Sequence, residues 1–549
     1  MLKVNLIVGL VAAGFILELT ACTQIANCKP DVECLKMINH FVVIYQENHS
    51  FDNLYGGWER VNGLANADLE HTIQVSQDGI AFRCLPQNDP NLKSPPLPVT
   101  CRDPVHGISS AFDNRPFMID AYIPSTAKTC KNGTSGGCTL DLVHDFYQSQ
   151  YQINGGRMNR FVTGSDAVGM TMGHYDTKRL PIYRYLHTPN HPHYAIADNF
   201  FQAAFGGSFI NHQWLIAART PLYEGAAQGA ESDLHSQIDN NGMPTGYPFY
   251  TPNGSVKAAK LSARCNKANT KILGLACGDF VISAIQPWYQ PYAYGTKSLR
   301  LPPLKNNNIG AALTAANIDW AWYSGGWANA VGDVGAPGWT NGKGSSCSDP
   351  NVNPKAVYPH CPDKLFQFHH QPFNYYAAFD PATDEGRANR QAHLKDEVEF
   401  ITLAKASEAD CHLKAISFVK AIGAENEHPG YASEHQGNDH LVELIRTIEN
   451  SGCAKDTMII VTYDEFGGYW DHVPPPSREN DIGPHDQWGP GPRIPALILT
   501  PLLQTDFAVD HTPYDTTSIL ATIERRFGLN LLGTRDAKIN DLSNILDAR

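Results

Sequence analysis

HFVVIYQENHSFD, at positions 40–52, is the stretch of sequence that decides the fold. Its first half is a continuous apolar run, and such runs are typical of strands that are covered on both faces of a parallel sheet. Its second half becomes polar at once, beginning with Gln46, Glu47 and Asn48. Because ligands of open parallel sheets bind beyond the carboxyl ends of the strands, this stretch predicts a core strand that leads directly into a functional site.

Similar runs, rich in β-branched and aromatic residues, recur along the chain and predict the other strands. They lie at 194–198, 318–323, 415–419, 457–462 and 496–500. Near-continuous apolar strands of this kind need a cover on both faces of the sheet, which helices between the strands would provide.

Helical periodicity does lie between these runs. One helix is predicted to begin at the N-cap Asp439 and to stop at Gly452. Its apolar stripe consists of Leu441, Leu444, Ile445 and Ile448. Alternating strands and helices predict an α/β fold with a doubly wound, mostly parallel sheet and helices on both faces.

Composition places the chain among globular proteins and limits its partners. Of its 549 residues, 42% are hydrophobic and 18% are charged, which excludes a disordered or fibrous protein. Lys and Arg number 42 against 55 Asp and Glu, so the formal net charge is −13. Because such a surface repels a phosphate backbone, no nucleic-acid partner is expected, whereas a local metal ion could still attract a small anionic substrate.

The sequence predicts one catalytic domain over residues 23–549 that carries long insertions. Gly, Pro and Asn are frequent near 60–140, 220–310 and 335–365. Connections of this length are usually functional or elaborate a compact core. No internal repeat and no low-complexity linker divides the sequence, and nothing in it predicts an oligomeric state.

Residues 1–22 have the pattern of an export signal. Lys3 precedes an apolar run over 4–17 that is too short for a membrane span. Residues 19–22, Leu-Thr-Ala-Cys, look like a bacterial lipobox in which Cys22 would carry a lipid, and simple cleavage with secretion is the alternative. We therefore expect an exported protein whose membrane contact is limited to an N-terminal lipid or a lipid substrate.

Cysteine usage agrees with export. Twelve of the 13 cysteines follow Cys22, and an even number behind an export signal predicts disulfides formed outside the cytoplasm. A cysteine zinc site is not expected, because no CxxC pair occurs. The sequence does not fix the pairing, but close spacings suggest staples on the insertions at Cys130/Cys138, Cys265/Cys277 and Cys347/Cys361.

A second strand run delivers acidic residues to the same edge of the predicted sheet. Asp464 and Glu465 follow the run at 457–462, as Glu47 and Asn48 follow the first run. Hard oxygen ligands from several strand ends suit a divalent cation, and crowded carboxylates would repel one another without it. A helix cap at Glu47 or a turn at Asp464 would explain either segment alone, but together the two segments favour a metal site.

Ser208 is the candidate nucleophile. It follows Gly206 and Gly207 beyond the run at 194–198, where it is expected to open a helix. The glycines give backbone freedom, and the exposed amides of a helix start suit an anion. Serine needs a base or a metal to become a good nucleophile, and the nearby carboxylates would hold that metal. Gly-Gly-Ser is also common in ordinary loops, so this motif alone does not decide the function.

Four of the 22 histidines occupy positions that suggest a role. His428 lies just past the run at 415–419, His144 precedes a glycine pair, and His369 and His370 are adjacent. Imidazoles around a phosphoryl group can donate hydrogen bonds to its oxygens and protonate the leaving group. For the remaining histidines, a core or surface position is the simpler interpretation.

These motifs resemble those of a known family. Residues 41–53, FVVIYQENHSFDN, closely resemble the opening motif of the phosphoesterase family that holds bacterial phospholipases C and related secreted acid phosphatases. Segments 206–213, 427–430 and 463–476 are similar to later motifs of that family and occur in the expected order. The resemblance spans roughly residues 36–530 and implies a fold similar to alkaline phosphatase.

The resemblance implies an exported, metal-dependent hydrolase of phosphate esters or phospholipids that acts through a phosphoserine. The implied ligands of one or more divalent ions (Zn, Ca, Mg, Mn or Fe) are Glu47, Asn48, Ser208, Asp464 and Glu465. Ser208 would also take the phosphoryl group. The other implied catalytic residues are His144, His428 and His369 or His370, and Asn48, His144 and His428 would bind the substrate.

The substrate branch stays open at this point. Acid phosphatases of the group tend to carry Asp-Asp where this chain has Asp464-Glu465, whereas the phospholipase branch often has Thr in place of Ser208. A phosphodiesterase of other specificity and a non-enzymatic surface adhesin or binding protein are the alternatives, but the chemically competent site residues favour an enzyme. A sulfatase is set aside, because residues 28–32 lack the arginine that its nucleophile motif requires.

Overall fold

A central sheet of eight strands organises the structure. The computed structural model describes residues 32–88, 97–123, 139–221, 237–243, 245–254, 256–257, 290–292, 301–340, 366–430 and 432–548. The strands are β1 His40–Gln46, β2 Tyr194–Ala197, β3 Trp320–Ser324, β4 Leu394–Asp396, β5 Ile416–Lys420, β6 Thr457–Tyr463, β7 Ala496–Leu499 and β8 Phe507–Asp510.

The order of the strands across the sheet is β4-β3-β5-β1-β6-β7-β2-β8. β7 runs antiparallel to its neighbours β6 and β2, and all other neighbouring pairs are parallel. The predicted doubly wound, mostly parallel α/β sheet is therefore confirmed. Gln46 of β1 lies opposite Tyr463 of β6, so the segments that follow these two strands leave the sheet side by side.

All six predicted strands are present, with bounds that differ from the prediction by at most two residues. Every residue of β2, β3, β5, β6 and β7 is buried. Because successive side chains of a strand point to opposite faces, this burial shows that both faces of the sheet are covered. The edge strands β4 and β8 were not predicted, because their sequences LKD and FAVD are too short to stand out as apolar runs.

Twelve α-helices occur in the described ranges. They are α1 Val32–Leu35, α2 Phe51–Leu54, α3 Leu69–Thr72, α4 Phe146–Ile153, α5 Pro181–Leu186, α6 Ser208–Ala217, α7 Ile309–Ala315, α8 Trp327–Val331, α9 Asp384–His393, α10 Glu397–Ala406, α11 Glu434–Glu449 and α12 Thr517–Phe527. Two-residue and three-residue strands pair outside the main sheet at Cys101–Asp103 with Ile108–Ser110, Phe117–Met118 with Gly173–His174, Phe200–Phe201 with Tyr514–Asp515, and Gln237–Ile238 with Val256–Lys257.

The prediction that Asp439 caps a helix is wrong. α11 begins five residues earlier, at Glu434, and its N-cap is Ser433, whose side chain accepts a hydrogen bond from the Gln436 amide. The polar first turns hid the start of the helix, because apolar periodicity begins only at Leu441. The predicted apolar stripe is confirmed, and its four residues are fully buried. The helix ends with Asn450 as its C-cap, before the predicted stop at Gly452.

Two disulfides join cysteines that both lie within the described residues. Cys84 is bonded to Cys101 inside the first predicted insertion, and Cys411 is bonded to Cys453. The predicted pairs Cys130/Cys138, Cys265/Cys277 and Cys347/Cys361, like the predicted signal over residues 1–22, lie outside the described residues. Among the helices that the structure describes, none has both the length and the apolar character needed to cross a membrane.

Candidate active site

The carboxyl edge of the sheet brings the predicted site residues together. Glu47 follows β1, Asp464 follows β6, and His428 lies in the loop after β5. Backbone hydrogen bonds join these loops, because the Asp464 amide donates to the Gln46 carbonyl at 3.1 Å and the Glu47 amide donates to the Asn426 carbonyl at 3.0 Å. The shared edge that the sequence predicted is therefore confirmed.

Gly467 allows the loop after β6 to approach the loop after β1. Its φ is +63°, and a Cβ at this position would lie 2.0 Å from the Asn48 carbonyl oxygen. Glycine is thus required both by the backbone conformation and by the contact. The Gly467 amide donates to Glu465 Oε2 at 2.7 Å, which fixes this carboxylate beside Asn48.

Ser208 is the first residue of α6, with Gly207 as its N-cap, so the predicted helix start is confirmed. Its side chain is only 2% exposed, and its Oγ donates to Glu47 Oε2 at 3.2 Å. The first amides of a helix have no intrahelical acceptor and carry a partial positive charge. A phosphoryl group next to Ser208 would therefore meet a favourable field.

The two oxygens of the Glu47 carboxylate have different partners. Oε1 pairs with the Lys420 ammonium and lies 2.9 Å from His370 Nε2, whereas Oε2 faces the Ser208 hydroxyl and lies 3.9 Å from His428 Nε2. Burial opposes ionisation of this carboxyl, but His370 and Lys420 hold its pKa well below the ordinary value. Glu47 is therefore an ionised carboxylate with one oxygen directed at the nucleophile.

Lys420 belongs to the site but was missed by the sequence analysis. It ends β5, its side chain is fully buried, and its Nζ also donates to the Gln46 carbonyl at 3.2 Å. Its ammonium lies 5.1 Å from the centroid of the Tyr45 ring, within the range of a cation–π interaction. The available signal was a lysine directly after an apolar strand, because a buried lysine needs an anionic partner.

Three of the predicted metal ligands carry a buried oxygen without a hydrogen-bond partner. Asn48 Oδ1, Asp464 Oδ2 and Glu465 Oε1 are buried and have no hydrogen-bond partner. Burial, together with repulsion from Glu47, raises the pKa of Asp464 well above its ordinary value, and burial with repulsion from Asp464 does the same for Glu465. Oxygen donors that repel one another in this way are suited to a divalent cation.

His212 is a second site residue that the sequence analysis did not select. It is fully buried on α6, where its Nδ1 lies 2.7 Å from the Ser208 carbonyl oxygen and its Nε2 has no hydrogen-bond partner. Ligand atoms of His212, Glu47 and His370 lie within 4.8 Å of one another, a spacing that could hold a metal ion. The signal was its position one helical turn after the candidate nucleophile.

Asn48, His144 and His428 form one hydrogen-bonded group. Nδ1 of His144 lies against the Leu142 carbonyl oxygen, and Nδ1 of His428 lies 2.7 Å from the Pro429 carbonyl oxygen. In this arrangement the Nε2 atoms accept from Asn48 Nδ2, at 3.4 Å for His144 and 3.0 Å for His428. Both imidazoles thus turn Nε2 toward the same amide.

The two adjacent histidines have different surroundings. His370 lies against Glu47, and its carbonyl accepts from Trp322 Nε1 at 2.8 Å, which ties it to β3. His369 reaches the site through ring contacts, with its centroid 4.5 Å from that of His370 and 6.3 Å from that of His212. Of the predicted pair, His370 is therefore the one whose ring nitrogen contacts the carboxylates.

Several relatives match part of the chain, and two of them illustrate the extent of the match. Phospholipase C B of Mycobacterium tuberculosis (strain CDC 1551 / Oshkosh) is 31% identical over 153 residues, which are 24% of this chain and 29% of that protein. Non-hemolytic phospholipase C of Burkholderia pseudomallei (strain K96243) is 30% identical over 138 residues, which are 21% of this chain and 19% of that protein. The matched segments thus span less than a third of either relative.

A solved structure has a weak likeness to this fold. The lipoteichoic acid synthase LtaP of Listeria monocytogenes gives a TM-score of 0.27 at 9% sequence identity, over 63% of this chain and 68% of that chain. A likeness of this size supports no inference.

The family match is much longer than either partial match. The pattern of the Phosphoesterase family fits residues 38–530, a range that contains the whole central sheet. It also contains every residue gathered around Ser208, from Glu47 to Glu465. The family that the motifs predicted is confirmed, and the chain belongs to the phosphoesterase family.

Proposed function

We propose that this protein is an exported, metal-dependent phosphoesterase of the phospholipase C type, which acts through a phosphoserine at Ser208. The observation that carries the proposal is the contact of Ser208 Oγ with Glu47 Oε2 at 3.2 Å, at a helix start and beside buried oxygens without partners. A hydroxyl placed between an anion-attracting helix end and a metal-ligating carboxylate has the surroundings of a phosphoryl acceptor.

The metal ligands in this proposal are Glu47, Asn48, Ser208, Asp464 and Glu465. A bound divalent cation (Zn, Ca, Mg, Mn or Fe) would lower the pKa of the serine hydroxyl and neutralise charge on the phosphoryl group. The oxygen-rich donors admit all of these ions, and the nearby imidazole of His212 makes zinc or iron as acceptable as calcium or magnesium.

The chain's own residues supply the remaining chemistry. Ser208 Oγ releases its proton to water and attacks phosphorus, the bond to the leaving alcohol breaks, and Nε2 of His370 gives that alcohol its proton. Water then attacks the phosphoserine and gives one proton back to His370 Nε2, the bond from phosphorus to Ser208 Oγ breaks, Ser208 takes a proton from water, and the phosphate product leaves. Nε2 of His144 and of His428 faces Asn48, which places both imidazoles beside a proposed metal ligand, and Lys420 with His370 keeps Glu47 ionised throughout.

A phospholipid is the favoured substrate, because both partial relatives carry phospholipase C names. Export is part of the proposal, because the disulfides Cys84–Cys101 and Cys411–Cys453 need an oxidising compartment. The acid phosphatase alternative shares this site chemistry and differs in the substrate, so it is an outcome of the test below. A non-enzymatic adhesin would have no need for a nucleophile held against a metal-ligating carboxylate.

The test compares phosphatidylcholine vesicles with an aryl phosphate at acid and neutral pH. Each reaction is run after treatment with a chelator and again after each metal ion is restored. We expect diacylglycerol release that stops with the chelator, and mass spectrometry of acid-quenched protein should find phosphate on Ser208. The matched control is Ser208→Ala, which should fold normally and lose at least about a thousandfold in rate.

The outcomes separate the alternatives. Preference for the aryl phosphate at acid pH would assign the protein to the phosphatase branch. Full turnover in the presence of the chelator would refute the metal role of the acidic residues. A folded Ser208→Ala variant with normal activity would refute the phosphoserine. Absence of turnover on both substrates with every metal would leave the binding-protein alternative in place.

A further inference from the structure

Glu427 occupies an unusual position behind the site. Its side chain is fully buried, and its backbone has a φ of +73°, a left-handed conformation that residues other than glycine rarely adopt. Gly437 of α11 packs so closely on it that a Cβ at position 437 would lie 2.3 Å from Glu427 Cγ. Strained conformations of this kind persist only where the surrounding structure holds them, and they concentrate at functional sites.

The Glu427 carboxyl joins the ends of β1 and β6. Gln46 Nε2 donates to its Oε1 at 3.1 Å, and the Tyr463 hydroxyl donates to its Oε2 at 2.8 Å. Gln46 and Tyr463 are register partners in the sheet. Each of them directly precedes a residue of the proposed metal site, Glu47 after β1 and Asp464 after β6.

The backbone around Glu427 reaches the same loop. His49 lies 3.0 Å, through its Nε2, from the Glu427 carbonyl oxygen, and the Asn426 carbonyl accepts from the Glu47 amide at 3.0 Å. The His428 amide donates to Asn426 Oδ1 at 3.1 Å, which orients the imidazole that faces Asn48. The turn over 426–428 is thus bonded to the residues before and after Glu47.

We propose that Glu427 is a positioning residue, which aligns Glu47 and Asp464 with His428 by joining the ends of β1 and β6. This inference rests on the proposed function, because it concerns the reaction at Ser208. Glu427 acts through Gln46 and Tyr463, and its own carboxyl contacts neither the nucleophile nor the predicted metal ligands.

Loss of the Glu427 carboxyl should allow the ends of β1 and β6 to move independently of each other. The Gln46 amide and the Tyr463 hydroxyl would each lose an acceptor, and side chains on both strands could then turn independently. A misplacement of about 1 Å at a reacting group lowers a rate by about a hundredfold. We therefore expect an effect on kcat that exceeds the effect on KM, because the substrate contacts themselves remain.

The first test is Tyr463→Phe, which removes one hydrogen bond to Glu427 without a cavity. The matched control is Tyr514→Phe, because the Tyr514 hydroxyl donates to Asp510 Oδ2 at 2.7 Å in an equally buried position by edge strand β8. We expect kcat on phosphatidylcholine vesicles to fall about tenfold for Tyr463→Phe with KM changed less than about twofold. Tyr514→Phe should lose similar thermal stability and keep the wild-type kcat.

The second test changes Glu427 itself. Glu427→Gly accepts the left-handed backbone but removes the carboxyl, and kcat should fall by about ten- to a hundredfold. Glu427→Gln should restore kcat to within about threefold of wild type. Burial raises the pKa of Glu427 to about 8, so the native side chain is neutral at pH 7 and an amide is its closest match.

The results distinguish this inference from the proposed function. Wild-type protein without phosphoesterase activity, or a fully active Ser208→Ala variant, would refute the proposed function. An active wild type and an inactive Ser208→Ala, together with a wild-type kcat for Tyr463→Phe, would refute only the role of Glu427. If Glu427→Gly fails to fold, the comparison of Tyr463→Phe with Tyr514→Phe decides the question alone.

Discussion

Two buried clusters near the carboxyl ends of β1 and β6 differ in how their buried charge is balanced. The acidic cluster consists of Glu47, Asp464, Glu465, His370 and Lys420. The arginine cluster consists of Asp52, Asp471, His472 and Arg493. No member of either cluster is more than 5% exposed, so the two can be compared at matched burial and similar residue type.

In the arginine cluster every carboxylate oxygen has a donor. Arg493 Nε donates to Asp471 Oδ1 at 3.1 Å, and its Nη2 donates to Asp52 Oδ1 at 3.2 Å. The His472 amide donates to Asp52 Oδ2 at 2.8 Å, and the Asp52 amide donates to Asp471 Oδ2 at 3.0 Å. The chain thus supplies its own cation and ties the two loops together.

In the acidic cluster the balance is different. Asp464 Oδ2 and Glu465 Oε1 have no hydrogen-bond partner, and the Lys420 ammonium is engaged by Glu47. Burial raises the pKa of Asp464 well above its ordinary value, whereas Arg493 limits the effect of burial on Asp471 to a pKa of about 6. The two clusters are thus built from similar residue types. The arginine cluster is a structural network because Arg493 balances its carboxylates, whereas the acidic cluster is suited to a ligand because the chain balances only part of its negative charge.

Removal of Arg493 should give the largest loss of stability. Arg493→Met leaves Asp52 and Asp471 buried without their cation, so we expect the free energy of unfolding to fall by about 3–5 kcal/mol in urea denaturation. Arg387→Met, which removes an exposed pair with Asp384, is the control and should cost almost nothing. Equal losses for the two variants would contradict the structural role of the arginine cluster.

Replacement of His370 should give the next largest effect, on the rate. Because His370 Nε2 contacts Glu47 Oε1 at 2.9 Å, His370→Gln should lower kcat by about a hundredfold. His369→Gln is the matched neighbour and should lower kcat by less than about fivefold, because His369 packs through its ring. A larger loss for His369→Gln in vesicle assays would reverse the assignment.

Much of this fold could be predicted, because the burial of its central strands is visible in the sequence as apolar runs. β1 contains an unbroken apolar run over 41–45 and β6 contains one over 458–461, and every residue of these runs is buried. The edge strand β4, Leu394-Lys395-Asp396, pairs on one side only and carries polar residues like a loop. The start of α11 was missed for a related reason, because its first turns are polar.

The candidate site could be predicted most directly where its residues follow strands of the sheet. Glu47, Asp464 and Glu465 lie at such positions, and the topology then brings them together. Lys420 and Arg493 were missed, because each has a partner, Glu47 and Asp52 respectively, that lies hundreds of residues away in the chain. The position of Lys420 directly after an apolar run indicates burial, but it does not identify the carboxylate that the ammonium meets. Long-range pairing of charge is a property of the fold and is weakly encoded in any one segment.

Neutralisation of one aspartate should have a smaller effect on the free energy of unfolding. The sign of this effect should be opposite for Asp464 in the acidic cluster and for Asp471 in the arginine cluster. Asp464→Asn removes repulsion within the acidic cluster, so chelator-treated protein should gain about 1–2 kcal/mol in urea denaturation. The same change at Asp471, Asp471→Asn, should destabilise, because it breaks the pair with Arg493. Added metal should stabilise the wild type and should have little effect on Asp464→Asn. Two changes of the same sign would break the comparison.

Glu434 is a buried carboxyl that is neutralised by its own proton and belongs to neither cluster. Its replacement should give the smallest effect on the free energy of unfolding. It is 3% exposed at the start of α11, and its Oε1 has no hydrogen-bond partner. Burial raises its pKa from 4.5 to about 8. The folded protein therefore keeps a proton that the unfolded chain releases near pH 4.5, and this group's contribution to stability is complete below that pH. The contribution is lost as the pH rises toward 8.

Glu434→Gln should remove this dependence on pH. Relative to wild type, the variant should gain unfolding free energy as the pH rises from 5 to 8, measured by urea denaturation in chelator. Glu443→Gln changes an exposed residue of the same helix and should leave the difference unchanged. If Glu434→Gln followed the wild-type profile, the carboxyl would have to be ionised in the folded state. The ionised carboxylate would then need a nearby cation, as in the arginine cluster. Protonation would no longer explain how this carboxyl is buried.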